Sequence, residues 1–434
     1  MSVFTTLKKN TPNWMISLAL LGLVSCSEST SDNENEAALS NAAPLATAAS
    51  IHANILVLDA HADIVIPSTS RSYISDDGTS KVSPDKMRSG GVDAVVMSIA
   101  VGPGPRTPAG DAAARAEADE KLAAILSLVE QSQGTVVLAT TVAEIESAHE
   151  RNQSAVILGF QNARSLEGNV SAINEFYQGG VRIFGLNHLG HNDFSDSSRP
   201  EFNSATGEFQ VTQEHQGLSA LGIAAIERIN ALGAVVDISQ LSKAAALQVM
   251  RLSTSPVIAS HSNAKSISDV TRNLSDEEID LMGETGGVIH VAAFKGYLLN
   301  ISEPEFIVEL KRLRREAGIS EEYNYPYELY WEIEDPADAA AYIAAASDLM
   351  GPATVDHMLD HIDYIVNRIG IDHVGIGNDF NHGSGIEGYD DASESENITI
   401  GLLNRGYSKS EIAKIWSGNF LRVLDAAATQ GVVN

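Results

Sequence analysis

Beyond about residue 50 the chain alternates between short apolar runs rich in β-branched residues and longer Ala- and Leu-rich stretches with helical spacing. An unbroken apolar run marks a strand buried on both faces, and its alternation with amphipathic helices marks βα units around a parallel sheet. The runs at 55–63, 93–101, 155–161, 181–188, 234–240, 256–262, 287–294 and 373–380 are the expected strands. Eight strands are the number a closed barrel needs, so the predicted fold is α/β, a TIM-like (β/α)8 barrel.

Polar residues fall at telling places in this pattern. Six of the runs end in a group able to bind a cation or move a proton: Asp63, Gln161, His188, Gln240, His261 and Asp379. In such barrels the C-terminal ends of the strands converge on one mouth, where the chemistry sits. The stretch from 295 to about 352 is a helical insertion before the last strand, with helices expected at 305–317 and 336–350. Its cluster Tyr323, Tyr325, Pro326, Tyr327, Tyr330 and Trp331 reads equally as a lid, a dimer contact or a flap on the barrel wall.

The first 25 residues read as a signal peptide, with Lys8 and Lys9 ahead of an apolar stretch from Trp14 to Val24. It closes on Leu23-Val24-Ser25-Cys26, which resembles the bacterial lipobox, and Cys26 is the chain's single cysteine. Lipidation of Cys26 is therefore expected, with Ser27 at the next position pointing to the outer membrane, facing the periplasm. Residues 26–50, rich in Ser, Asn, Glu and Ala, read as a flexible tether, leaving 51–434 as the barrel. The formal net charge of -29 argues against nucleic acid, since such a surface repels phosphates, and confines membrane contact to the lipid. A substrate with a free carboxylate would need a local basic residue.

The chemistry-bearing motifs are spaced along the whole barrel. Asp59-Ala60-His61-Ala62-Asp63 closes the first strand, and alternation would set its three polar residues on one side. Carboxylate with imidazole suits zinc and its neighbours. Ser260-His261-Ser262 ends the sixth strand, Arg272-Asn273-Leu274-Ser275-Asp276 opens the next helix, and His373-Val374-Gly375-Ile376-Gly377-Asn378-Asp379-Phe380 ends the last strand. Together with Gly180-Val181-Arg182 and Leu186-Asn187-His188, in this order, the set resembles the membrane (renal) dipeptidase family, peptidase M19, from about residue 51 to 425.

That resemblance implies hydrolysis of dipeptides, including those with a C-terminal D-residue, at a two-zinc site in a barrel of the amidohydrolase type. Carried over, His61 and Asp63 would bind the first metal and His261 the second. His188 would hydrogen-bond the tetrahedral intermediate, and Arg272 would hold the substrate carboxylate. Asp379 would contact the first metal and shuttle the proton. The family also forms frequent dimers, which makes a homodimer the expected assembly.

Two positions depart from the family. It commonly carries a bridging Glu where Gln161 stands, and a His ligand where Gln240 ends Asp237-Ile238-Ser239-Gln240. A neutral amide offers one good oxygen and no charge, so Gln161 and Gln240 are expected to be weak ligands. The expected cofactor is therefore one tightly bound Zn2+ at His61, Asp63 and Asp379, with a second weak or absent, and one metal suffices to activate water. His261 then becomes a hydrogen-bonding residue.

The expected function is a periplasmic metal-dependent dipeptidase. The alternatives are a hydrolase that matures or deacylates a specialised peptide, and a metal-poor, inactive peptide-binding relative. The chain has no Gly-x-Ser-x-Gly and no His-Glu-x-x-His, which disfavours a serine hydrolase and a thermolysin-like enzyme. His191 is a candidate pocket residue for substrate, or a loop residue. His357 and His361 lie on the face of an ordinary amphipathic helix, and His290 reads as core.

Overall fold

Eight parallel strands form one ring in the computed structural model, which describes residues 47–203 and 206–431. In chain order they are β1 (Leu58–Asp63), β2 (Ala94–Ala100), β3 (Ser154–Gln161), β4 (Val181–Gly185), β5 (Val235–Asp237), β6 (Ile258–Ala259), β7 (Val288–Val291) and β8 (Val374–Ile376). Each pairs with the next. The ring closes where Ala62 bridges Phe380, with Asp379 N–H donating to His61 O and Asp63 N–H to Phe380 O, both at 2.9 Å. All eight expected strands are present, most of them shorter than their apolar runs. A further short strand, Val136–Leu138, flanks β3 outside the ring, and an antiparallel hairpin joins Phe202–Asn203 to Glu208–Phe209.

The expected signal peptide, Cys26 and most of the tether lie outside the described residues. Residues 47–52 are helical and Ala48 and His52 are buried, so the last residues assigned to the tether belong to the folded unit.

Alternating strand residues divide into two apolar clusters, as a strand between helices and a barrel lumen requires. Leu58, Ala60, Val96, Ile157, Ile183, Val235, Ile258 and Val288 pack with Phe420, Val423 and Leu424 of the last helix, Asn419–Gln430. Val95, Met97, Leu158, Phe184, Val236, Ile289 and Val374 pack in the larger cluster with residues of the surrounding helices. The register shifts at two places, one of them between Leu158 and Gly159 where β3 pairs with β4. The β1–β2 register shifts between Asp59 and Ala62, so Asp59 is not aligned with His61 and Asp63 as strict alternation would have it. Its carboxylate instead accepts from Asn378 N–H and Asn378 Nδ2, both at 2.9 Å, and braces β1 against the chain beyond β8.

Glycines in β8 make room for its neighbours. A Cβ on Gly375 would stand 2.4 Å from the His290 ring, and one on Gly377 would stand 1.8 Å from Ser260 O. The second obstacle is backbone and cannot swing aside. Gly377→Ala is therefore expected to destabilise by about 3 kcal/mol or more, at or above the usual cost of overpacking. Urea denaturation would measure it, and a loss under about 1 kcal/mol would show that β6 and β8 can separate cheaply.

The insertion carries helices Pro304–Glu316 and Pro336–Met350 with a turn at Tyr330–Glu332. Buried Arg314 pins it by donating to the carbonyls of Ser320, Glu322 and Glu328 and to Tyr342 Oη. Its tyrosines reach the barrel mouth, where Tyr330 Oη meets Tyr73 Oη at 2.6 Å.

Candidate active site

Closure of the ring brings together residues more than 300 positions apart in sequence. His61 Nε2 lies 3.6 Å from Asp63 Oδ1 and 3.8 Å from Asp379 Oδ1. The His261 ring stacks on His61 with centroids 3.8 Å apart, and ligand atoms of His61, His261 and Asp379 lie within 4.8 Å of one another. All four side chains are buried. Asp379 and Gln240 adopt left-handed backbone, φ 63° and 74°. Asp tolerates that conformation whereas Gln rarely takes it, so the turn at Gln240 holds backbone strain beside the site.

His61 Nε2, Asp63 Oδ1 and Asp379 Oδ2 are buried and have no hydrogen-bond partner among the described residues. An unsatisfied buried polar atom costs about 1–3 kcal/mol, and three converging ones call for a common partner. The field agrees. Burial opposes charge on His61, yet the carboxylates of Asp63, Asp379 and Asp237 raise its pKa. One imidazole and two carboxylates form a donor set that fits a divalent first-row cation.

Behind these residues runs a polar chain. Ser260 Oγ donates to Asp237 Oδ2 at 2.5 Å and lies 2.7 Å from His261 Nδ1. With its own proton on Asp237, Ser260 accepts from His261 Nδ1–H, which leaves His261 Nε2 as a bare lone pair. Burial, reinforced by the charges of His61 and Arg272, holds the His261 pKa well below its usual value, so the ring is neutral. The amide nitrogens of Gln161 and Gln240 approach this Nε2, each at 3.4 Å. Gln240 Oε1 accepts from Arg199 Nη2 at 2.7 Å. A guanidinium only donates, which fixes the amide's orientation and commits one lone pair of the Gln240 oxygen to Arg199. Both glutamines thus turn the amide nitrogen, not the oxygen, to His261, and the Gln240 oxygen faces Arg199.

His188 sits at the mouth with its Nε2 3.2 Å from His382 Nε2, and His382 Nδ1 contacts Asp63 Oδ2 at 2.9 Å. Burial and the nearby positive groups His382 and Arg199 push His188 well below its usual pKa. Arg272 is buried, donating to Ser262 Oγ at 2.9 Å and His261 O at 2.6 Å, with its guanidinium over the Tyr297 ring and its Nε unpartnered.

His191 is corrected. Its Nδ1 accepts from Ser197 N–H at 2.9 Å and its Nε2 donates to Val211 O at 2.6 Å, so both nitrogens are spent holding the loop after β4 and none is left for substrate. His361 is likewise structural, tied to Ala264 N–H and Leu298 O, and buried His290 donates to Ala259 O. His382 and Arg199 were not picked out from the sequence. The only local signals are a histidine three places after Asp379 and an isolated arginine in Ser197-Ser198-Arg199-Pro200.

Residues 45–432 match the family profile described as Membrane dipeptidase (Peptidase family M19). The chain belongs to the membrane dipeptidase family. Dipeptidase aclJ of Aspergillus oryzae is 28% identical over 292 residues, 67% of this chain and 56% of that protein. Dipeptidase tcpJ of Claviceps purpurea is 29% identical over 281 residues, 64% and 52% respectively. The matched region thus spans little more than half the length of these fungal relatives. Among solved structures, the probable dipeptidase PvdM from Pseudomonas aeruginosa superposes with a TM-score of 0.78 at 30% identity, over 89% of this chain and 99% of that one. A metallo peptidase from Rhodobacter sphaeroides, liganded with a phosphinate mimic of the dipeptide L-Ala-D-Ala, shares the fold at 20% identity, TM-score 0.65, over 86% and 99%. The membrane dipeptidase barrel is therefore the fold observed here, and the unpartnered atoms at its mouth stand on β1 and just beyond β8.

Proposed function

We propose that the protein is a metal-dependent dipeptidase that hydrolyses the peptide bond of small dipeptides, L-D pairs included, in the periplasm, where a lipid on Cys26 would hold it to the outer membrane. The observation that carries this reading is the convergence of three unpartnered buried ligand atoms, on His61, Asp63 and Asp379, at the barrel mouth. His61, Asp63 and Asp379 would hold a divalent cation, zinc by the chemistry of these donors, which when bound would supply Lewis acidity towards a carbonyl and lower the pKa of water towards about 7.

The chain's own residues do the rest. Asp379 takes the proton of the attacking water on its free oxygen and returns it to the amine as the C–N bond breaks. Asp63 keeps its geometry because His382 holds its other oxygen. When His382 Nε2 donates to His188 Nε2, the remaining proton of His188 sits on Nδ1, which has no partner and is free to donate to the oxygen that gains charge. Arg272 meets the terminal carboxylate, a task suited to a planar guanidinium.

Two measurements test this. Metal stoichiometry of the purified protein, with turnover of L-Ala-L-Ala and L-Ala-D-Ala, should show about one divalent ion per chain and hydrolysis. Absence of both metal and turnover would leave a peptide-binding protein. Arg272→Lys should raise KM and lower kcat/KM about tenfold with metal content unchanged, because a point charge replaces a fork. Equal turnover of dipeptides and their C-terminal amides would remove Arg272 from that role.

A further inference from the structure

Beside the metal-binding residues lies a cavity of about 210 Å³ that shares Tyr73 and His382 with the cleft containing Asp63 and His188. Its walls are aromatic, with Tyr297, Tyr325, Tyr327 and Tyr330 among them, and two cations line it, Arg199 and Lys295. No Asp or Glu is among the described residues that line it. In a chain of formal net charge -29 with 57 acidic residues, a cavity holding two cations and no carboxylate is a marked reversal of sign.

Neither cation makes a direct ion pair among the described residues, although Glu328 and Asp379 act on Arg199, and Asp348 on Lys295, through space. Arg199 is 2% exposed, and its single side-chain hydrogen bond goes to the neutral Gln240. Its Nε has no partner, and its guanidinium lies 4.7 Å from the centroid of Tyr325. Glu328, on the insertion, accepts from Asn324 N–H and Nδ2, so its charge acts on Arg199 only through space and not by a hydrogen bond. Lys295 Nζ donates to Ser347 O and Ser347 Oγ, both at 2.8 Å, and makes no ion pair among the described residues. A buried guanidinium with an unpartnered N–H and no hydrogen-bonded carboxylate is costly, and a ligand carboxylate would supply that partner to Arg199, with partly buried Lys295 beside it. The tyrosine faces suit a short methylene stem leading to that charge.

We infer that this cavity is a subsite for an acidic side chain, so that the preferred substrates are small peptides with a second carboxylate besides the terminal one held at Arg272. The inference rests on the hydrolase reading for its substrate. The subsite's anion binding stands independently of turnover.

The test uses the full-length, metal-loaded protein and an isosteric pair, L-Ala-L-Glu and L-Ala-L-Gln. The wild type should favour the acidic peptide by about tenfold or more in kcat/KM, the discrimination that a desolvated charge pair gives. Arg199→Met and, separately, Lys295→Met should each lower that ratio at least about threefold. Lys295 touches neither Gln240 nor any proposed metal ligand, so its variant reads the subsite even if Arg199→Met disturbs the fold. Glutarate binding, followed by calorimetry, should weaken by a similar factor in both variants, whereas butyrate binding should change less than glutarate binding. A wild-type ratio near one, or a ratio and a glutarate affinity unmoved by both substitutions, overturns the subsite and leaves the dipeptidase reading standing if either peptide is cleaved. Charge-dependent glutarate binding without hydrolysis of either peptide would uphold the subsite and sink the dipeptidase reading.

Discussion

Replacing Asp379 by asparagine is expected to lower kcat/KM for dipeptide hydrolysis about a thousandfold while the protein stays folded. The loss follows from chemistry. An amide cannot take a proton from water at neutral pH, and general acid–base groups contribute about 10²–10⁴ in rate. In the absence of metal, burial raises the Asp379 carboxyl above its usual range, against the opposing charges of His382 and His61. Retention of the fold follows from the backbone. Asp379 sits at φ 63°, a left-handed conformation that asparagine tolerates at least as well as aspartate. The denaturation midpoint should therefore move little, and metal should still be held by His61 and Asp63, with the new amide oxygen at position 379 as a weaker third donor. Kinetics, circular dichroism and metal analysis on one preparation decide the matter, and a rate within tenfold of wild type would assign the proton transfer elsewhere.

The barrel was legible because its strands are buried on both sides and so appear as unbroken apolar runs. Their ends were not. The run at 256–262 is paired only over Ile258–Ala259, and the run at 373–380 only over Val374–Ile376. Past those points the ladder has ended, and the buried residues Ser260, His261, Ser262, Asn378 and Asp379 follow the strands without belonging to them. Val136–Leu138 was missed because three residues give no period to detect.

The site was legible to the extent that it stands on strand ends. His61, Asp63, His188, His261 and Asp379 were named from that placement, and the ring brings His61, Asp63, His261 and Asp379 together with His188 beside them at the mouth. His191 was misjudged because proximity to a strand end says nothing of where the ring nitrogens go, and a long loop needs its own hydrogen bonds. His382 and Arg199 lie in loops where no periodicity operates. Their roles come from contacts with Asp63 and Gln240, which sequence spacing does not report.

Placing a carboxylate and an imidazole at the two glutamine positions is expected to raise the metal content from about one ion per chain to about two. In the wild type, His261 Nε2 faces two amide nitrogens, and the Gln240 oxygen belongs to Arg199, so a second cation would find one imidazole and no anion. The double variant Gln161→Glu/Gln240→His supplies a carboxylate and a second imidazole at the same places, with neutral imidazole as a good ligand and carboxylate offsetting the charge. Mass-spectrometric metal analysis should rise from about one to about two ions per chain. The thermal response should change with it. A buried glutamate without a cation is costly, so the metal-free double variant should unfold earlier than metal-free wild type, and zinc at about a hundred times its Kd should return about 2.7 kcal/mol through the added site. Two ions already present in the wild type would mean that Gln161 rotates to offer its oxygen when metal is supplied. A single ion in the double variant would show that the Arg199 guanidinium, and not the missing ligands, is what keeps a second cation away.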